Sequence, residues 1–361
     1  MYTERIGDNC FCDAISASLE FMDCIYWALD YVDYKFLYNH ERFTAFDNDS
    51  NLDSIISESD PYYFKIRPES QYNMDLAKYN DSLLDKELRG MLKYVERNAD
   101  EFVNELKSLY NSQGYPIMLS VNTRACKAFY KESGAIVPRT DCKHILNVLI
   151  SSPDGKKCLI FDRGFNCLGK WIDSELLLKG ATDNFLDRQG TFAYVAFKER
   201  MPPHLDNMRI KNKFVEHIDR ALSQEFLINN HCYLNNTLAL NHLKNDLRNI
   251  VENLIDMYKE FAIPLLGEAI VLQVDGSVGI YELYYEMMKH IDSAEMPRMV
   301  KELYKYTAAW QKFEARLKYM VYGKKSVEAY IESLENIVET LIQADKCINQ
   351  GLIKIRNEII K

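Results

Sequence analysis

Length, composition and charge narrow the classes of protein to which this chain can belong. It has 361 residues, 47% of them apolar, which is enough for one large domain or two medium ones with a folded core. The formal net charge of −9 argues against a nucleic-acid partner, because proteins that bind the phosphate backbone usually present a basic surface. The same acidic balance favours a basic or amine-bearing ligand.

The chain shows no recognisable targeting segment and no paired cysteine motif. No uncharged apolar run of about 18 residues occurs, and the N-terminus lacks a basic stretch followed by an apolar one. We therefore expect a soluble, cytoplasmic protein with no membrane partner. The nine cysteines include no CxxC pair, so neither a disulfide framework nor a metal site is predicted.

The first predicted element is a helix that follows the stretch DNCFCDAIS at 8–16 and continues in apolar residues to Leu29. Asp8 or Asn9 is a suitable N-cap, which places Cys10 where the helix begins. The positive end of a helix dipole and a nearby imidazolium both lower the pKa of a thiol, and the thiolate is the nucleophilic form. Cys10 is therefore a candidate nucleophile.

Four short segments rich in β-branched and aromatic residues are predicted to form strands. They are PIMLSV at 116–121, HILNVLIS at 144–151, KCLIFD at 157–162 and TFAYVAF at 191–197. SPDG at 152–155 lies between the second and the third, and its proline and glycine favour a tight turn. These two strands are therefore predicted to be antiparallel neighbours in a hairpin.

The same hairpin contains a candidate base and a carboxylate. His144 opens one strand ahead of an apolar run, whereas the other histidines lie in helical or loop contexts. Asp162 ends the following strand, and the turn folds that strand back beside the first. We therefore predict that the Asp162 carboxylate lies close to His144 and fixes its tautomer and ring orientation.

The pattern of the chain changes at MPPH, residues 201–204, where two prolines discourage continued regular structure. We predict a domain boundary there, with one domain over 1–200 and a helical bundle over 205–361, because long helical periodicity dominates the second part. DGSVG at 275–279 is expected to interrupt these helices and to open the next one. The predicted fold class is α+β.

Several segments together resemble the papain-like fold in its butirosin-type acyltransferase branch. The segments are GDNCFCDAISASLEF, PIMLSVN, the hairpin HILNVLISSPDGKKCLIFDRG and a following helix WIDSELL. The chain further resembles amide-forming cysteine-protease homologues of closthioamide-type natural-product biosynthesis. The resemblance implies a papain-like N-terminal domain with an antiparallel sheet, followed by an all-α C-terminal domain.

The resemblance also implies an activity and its residues. It assigns Cys10 as nucleophile, His144 as base and Asp162 as orienting carboxylate of an amide-forming acyltransferase. The acyl group would come from the phosphopantetheine thioester of an acyl or peptidyl carrier protein and pass to a small amine or diamine. The enzyme would hold no cofactor of its own, because phosphopantetheine enters as part of the carrier substrate.

Several alternatives stay open at the level of the sequence. Cys12 is the rival nucleophile, because CDAISA also resembles the segment that follows the nucleophile of papain. No glutamine stands upstream to complete an oxyanion hole, so Asn9 or the backbone N–H of the nucleophile is the candidate donor. A cysteine peptidase and a noncatalytic interaction protein on the same fold are the rival functions, and the oligomeric state is open.

Overall fold

The computed structural model describes most of the chain, and its residues divide into two compact units. The sheet unit draws on residues 1–28, 63–67 and 80–204, and the helical unit draws on residues 29–62, 68–79 and 205–361. The described residues are 9–31, 35–46, 56–57, 60–64, 70–83, 87–111, 116–123, 125–132, 143–162, 167–182, 190–198, 204–258, 262–322 and 326–361.

Short strands and helices make up the first half of the described chain, and long helices dominate the second half. The strands are β1 Leu37–Tyr38, β2 Ile56–Ser57, β3 Asp60–Phe64, β4 Leu92–Asn98, β5 Ile117–Asn122, β6 Lys143–Ser151, β7 Lys157–Asp162, β8 Cys167–Asp173, β9 Thr191–Phe197, β10 Glu225–Ile228 and β11 His231–Asn235. The α-helices are α1 Asn9–Phe21, α2 His40–Thr44, α3 Gln71–Leu83, α4 Glu87–Gly90, α5 Phe102–Asn111, α6 Lys127–Glu132, α7 Ser174–Ala181, α8 Asn207–Ala221, α9 Asn236–Tyr258, α10 Ala262–Met287, α11 Glu295–Tyr322 and α12 Val327–Ile360. Short 3-10 helices span Ile25–Asp30 and Ala99–Glu101.

The sheet unit is built on a six-stranded antiparallel sheet with the strand order β4-β9-β5-β6-β7-β8. The four predicted strands are confirmed as β5, β6, β7 and β9, and β6 and β7 form the predicted hairpin. Gly155 in its turn has φ +69, and a Cβ there would lie 2.7 Å from the Val103 carbonyl oxygen, so the turn requires glycine. The apolar face of the sheet packs against α5 and α7 through residues such as Phe102, Leu106 and Leu177.

Helix α1 lies on the sheet unit's β5 and β6. The small side chains of Ala14, Ala17 and Ser18 are buried, which allows the helix to approach the sheet closely. The prediction that this helix reaches Leu29 was wrong, because α1 ends at Phe21 and a 3-10 helix follows. The chain turns at Asp23, whose φ of 56 lies in the left-handed region that ends many helices.

The resemblance placed a helix over WIDSELL, and the structure corrects where that helix begins. Residues 171–173 belong to β8, and α7 starts only at Ser174. The side chain of Asp173 accepts a hydrogen bond from the Glu175 N–H, so it caps the helix. A capping aspartate has an extended backbone, which is why the strand continues up to this residue.

The helical unit contains α8 to α12, and their buried faces follow the periodicity of the sequence. The expected interruption at 275–279 was wrong, since α10 runs without a break from Ala262 to Met287. Each glycine in a helix costs about 1 kcal/mol. Buried side chains such as Leu266, Ile270 and Leu283 offset that cost through packing.

The strands β10 and β11 form a hairpin in a region where sequence patterns predicted helices almost alone. Its two turn residues, Asn229 and Asn230, have φ values of 50 and 66. Paired asparagines tolerate this left-handed conformation, so their presence in the sequence could have predicted the turn. The strands were missed because they are short and half exposed.

The observed architecture is therefore α+β, with antiparallel sheets and a helical C-terminal region. Residues 201–203 lie outside the described residues, so the domain boundary placed there stays a prediction. Across the described ranges, no helix combines the length and the apolar character needed to cross a membrane.

Candidate active site

Cys10 opens onto a small cleft between α1 and the sheet. It is the second residue of α1 and is half-buried. His144 and Asp162 border the same cleft, so the structure brings the three residues chosen from the sequence to one place. The cleft is lined by Cys10, Asp13, Ala14, Ala17, His144, Ile145, Asn147, Phe161 and Asp162.

His144 and Asp162 form a buried hydrogen-bonded pair across the β6–β7 hairpin. Nε2 of His144 lies 2.9 Å from Oδ2 of Asp162, and both side chains are almost completely buried. An ionised carboxylate can only accept a hydrogen bond, so Nε2 carries the proton of this contact. In that tautomer, Nδ1 is the ring nitrogen that can accept a proton.

A tyrosine supports the same carboxylate. The hydroxyl of Tyr130, from α6, donates a hydrogen bond to Oδ2 of Asp162. Tyr130 is fully buried, and burial together with the nearby Asp162 charge raises its pKa well above the ordinary tyrosine value. The hydroxyl therefore stays protonated and remains a donor, so Oδ2 accepts from both Tyr130 and His144.

The two N-terminal cysteines occupy different faces of α1. Residues two apart on a helix do not face each other, and Cys12 is not among the described residues that line the cleft. Both side chains are half-buried, so exposure alone does not separate them. The cleft does separate them, because Cys10 lines it together with His144.

Two other thiols of the sheet unit, those of Cys24 and Cys158, are buried in surroundings that favour the protonated form. Burial raises the pKa of Cys24, and burial raises the pKa of Cys158 to about 12. A thiol that keeps its proton is a poor nucleophile. None of the eight cysteines within the described ranges is joined in a disulfide.

Sequence reasoning missed several residues of the site. Tyr130 gave no indication of a role, because a buried aromatic residue of a short helix is usually part of the core. Asn147 lines the cleft with its Oδ1 accepting a hydrogen bond of 3.2 Å from Ser18, and only the pleat of β6 shows that it faces α1. Asp13 lies one turn after Cys10, so helical spacing could have identified it. The side chain of Asn9, a candidate oxyanion donor, lies outside the described residues.

Within the described part of the chain, no group of three or more His, Cys, Asp or Glu side chains is arranged to hold a metal ion. The cleft brings together a cysteine thiol, an imidazole and a carboxylate that is hydrogen-bonded to that imidazole. No known protein family matches the sequence, and no curated protein sequence matches it at a significant level.

Proposed function

We propose that this protein is a cysteine-dependent acyltransferase that forms amide bonds. The observation that carries the proposal is the His144–Asp162 hydrogen bond at a cleft that Cys10 also lines. A base oriented by an acid and placed beside a nucleophile is the arrangement by which enzymes activate thiols. The resemblance to papain-like acyltransferases agrees with it, since α1 carries the thiol and the antiparallel sheet carries the base.

The first half of the proposed reaction transfers the acyl group to the enzyme. The Sγ of Cys10 gives its proton to Nδ1 of His144 and attacks the carbonyl carbon of a carrier-bound thioester. The carbon–sulfur bond to the phosphopantetheine arm then breaks, and the departing sulfur takes the proton back from His144. The products are an acyl-Cys10 thioester and the free thiol of the carrier protein.

The second half transfers the acyl group to an amine. The amine nitrogen attacks the acyl-Cys10 carbonyl and gives a proton to His144, which returns it to the departing Cys10 sulfur. The amide is released and the enzyme is restored. Asn147 is the proposed donor to the oxyanion of both steps, because its Oδ1 is engaged by Ser18 and its amide N–H groups are left for the cleft.

Intact-protein mass spectrometry tests the proposal directly. The protein is incubated with an acyl-loaded carrier protein, and the adduct is then challenged with an amine or with water alone. We expect an acyl adduct in the wild type and in Cys12→Ala, none in Cys10→Ala, and discharge by the amine as an amide. Cys12→Ala is the matched control, since it removes a half-buried thiol from the same helix.

The possible results separate the rival functions. Loss of the adduct only in Cys12→Ala would show that Cys12, and not Cys10, is the nucleophile. The acyl transfer through a cysteine thioester would still be supported. Turnover of peptides without any need for an amine would favour a cysteine peptidase. If no acyl donor gives an adduct, the proposal fails and an interaction protein becomes the better interpretation.

A further inference from the structure

Strand pairing places four apolar side chains on one face of the sheet. The register of β7 and β8 pairs Phe161 with Leu168 and Leu159 with Trp171. Residues directly opposite each other share a face of the sheet, as do alternate residues of one strand. The four side chains therefore form two adjacent rows, about 7 Å apart along the strands. We call this group of Leu159, Phe161, Leu168 and Trp171 the apolar shelf.

A β-bulge makes this arrangement possible. Leu168 and Trp171 are three residues apart, so a regular strand would point them to opposite faces. The register shifts between Ile160 and Phe161, and Gly169 on the facing strand has φ +69. A bulge inserts one extra residue and re-aims the side chains beyond it, and such bulges are common beside active sites.

The apolar shelf is exposed where it is farthest from α1. Leu168 is 50% exposed and Trp171 is 52% exposed, while Leu159 and Phe161 are half-buried. Strand β8 is an edge strand of the six-stranded sheet. An exposed tryptophan beside an exposed leucine forms an apolar surface on a sheet edge. Covering this surface with another apolar group lowers the free energy.

The apolar shelf is continuous with the cleft of the proposed active site. Phe161 belongs to both, since it lines the cleft together with Cys10 and is paired with Leu168. A chain attached to the Cys10 sulfur can therefore leave the cleft across Phe161 and reach the second row at Leu159 and Trp171. Two carboxylates, Asp13 and Asp162, also line the cleft, so a negatively charged acyl group would be repelled there.

We propose that the apolar shelf binds the acyl chain of the donor thioester, and that the preferred donors carry an uncharged alkyl or aromatic chain of medium length. This inference rests on the proposed acyltransferase function and names its substrate class. Each methylene buried on the shelf contributes about a fourfold gain in reactivity at low donor concentration. A two-carbon acyl group is too short to reach beyond Phe161 and gains nothing.

The test measures the second-order rate of Cys10 acylation by intact-protein mass spectrometry with three simple thioester donors: acetyl, octanoyl and succinyl N-acetylcysteamine. In the wild type we expect octanoyl to react at least about tenfold faster than acetyl, and succinyl to be the slowest. Trp171→Ala and Leu168→Ala should each lower the octanoyl rate about tenfold and leave the acetyl rate unchanged. Tyr94→Ala is the matched control, because Tyr94 is 43% exposed on the opposite edge strand β4.

The outcomes separate this inference from the function on which it rests. Equal octanoyl and acetyl rates in the wild type, with an acetyl adduct on Cys10, would overturn the apolar shelf as an acyl site and leave the acyltransferase standing. The surface would instead belong to a second copy of the chain if the wild type is a dimer by size-exclusion chromatography and Trp171→Ala is a monomer with an unchanged chain-length preference, and this result would also overturn the inference. Failure of every donor to acylate Cys10 would overturn both proposals.

Discussion

Each unit of the molecule contains a carboxylate that is buried beside a basic side chain, and the pairs His144–Asp162 and Lys35–Asp345 have different surroundings. In the sheet unit, Asp162 accepts from His144 at 2.9 Å. In the helical unit, Asp345 lies 3.3 Å from the ammonium of Lys35, which also donates to Asn349 at 2.8 Å. All four members of these pairs are almost fully buried.

The difference lies in what the pair can reach. The His144 ring borders a cleft that the half-buried thiol of Cys10 also lines, so under the proposed function the ring can exchange a proton with that thiol. The Asp345 carboxylate instead accepts from Thr237 and Asn349, and burial lowers the pKa of Lys35 although Asp345 opposes this. Buried charge alone therefore does not identify a functional site, and the feature that distinguishes the two pairs is the thiol that shares a cleft with His144 and Asp162.

The largest effect is expected when the proposed base of the sheet unit, His144, is removed. His144→Ala should slow acylation of Cys10 about 1,000-fold, because the thiol loses the group that takes and returns its proton. The rate is measured by the growth of the acyl adduct in intact-protein mass spectrometry. His231→Ala, a half-buried histidine of β11, is the control and should react at the wild-type rate. A loss of less than tenfold in His144→Ala would contradict the assignment.

The equivalent change in the helical unit should act on stability alone. Lys35→Met leaves Asp345 as an uncompensated buried charge, so we expect the free energy of unfolding in urea to fall by about 3–5 kcal/mol. The double variant Lys35→Met with Asp345→Leu should recover most of this loss. Acylation of Cys10 per folded molecule should not change in either variant, and a clear loss of acylation would show that the two pairs are not functionally distinct.

Much of the sheet unit could be predicted from the sequence, for physical reasons. Strands β7 and β9 have the predicted bounds, because their runs of β-branched and aromatic residues end at turn-forming segments. Cys10, His144 and Asp162 were identifiable because a helix start, a strand start and a hairpin partner fix where each lies. Their catalytic roles stay predictions.

The remaining features depend on tertiary packing, which a sequence does not display. The hydrogen bond from Tyr130 to Asp162 joins residues 32 apart, and no local pattern indicates it. In α12, Val327 and Ile353 fit the apolar periodicity, yet they are 36% and 47% exposed. The apolar periodicity of a helix identifies its buried face approximately. The packing of neighbouring helices determines which residues at the border of that face are exposed.

Asn147 is the proposed oxyanion donor in the cleft of the sheet unit. If its amide donates to the oxyanion, Asn147→Ala should lower the rate of acylation at saturating donor about 100-fold. The apparent affinity for the donor should stay unchanged, because the hydrogen bond forms only as charge develops. Ser18→Ala removes the hydroxyl that holds the Asn147 Oδ1 and should give a smaller loss. Unchanged rates in both variants would remove Asn147 from the mechanism.

Tyr130 is expected to have a moderate effect that does not depend on pH. Tyr130→Phe removes one hydrogen bond to the Asp162 carboxylate and should slow acylation about tenfold through poorer orientation of His144. Since the pKa of Tyr130 is raised well above its ordinary value, the hydroxyl keeps its proton as pH rises through the working range. The ratio of wild-type to variant rates should therefore be flat from about pH 6 to about pH 9. A ratio that falls with rising pH would mean that Tyr130 titrates.

The smallest expected effect concerns the amine. Asp13 lies on the cleft one helical turn after Cys10, so its carboxylate is placed to attract the distant ammonium of a bound diamine. A half-exposed ion pair of this kind contributes about 0.2–1 kcal/mol, and Asp13→Asn should therefore slow discharge of acyl-Cys10 by diaminopropane about two- to fivefold. Discharge by propylamine, which has no second ammonium, should be unchanged, and Glu20→Gln on the exposed side of α1 should affect neither amine. Equal slowing of both amines would place Asp13 in the general structure of the cleft, and acceptor choice would then have to be explained by some other group.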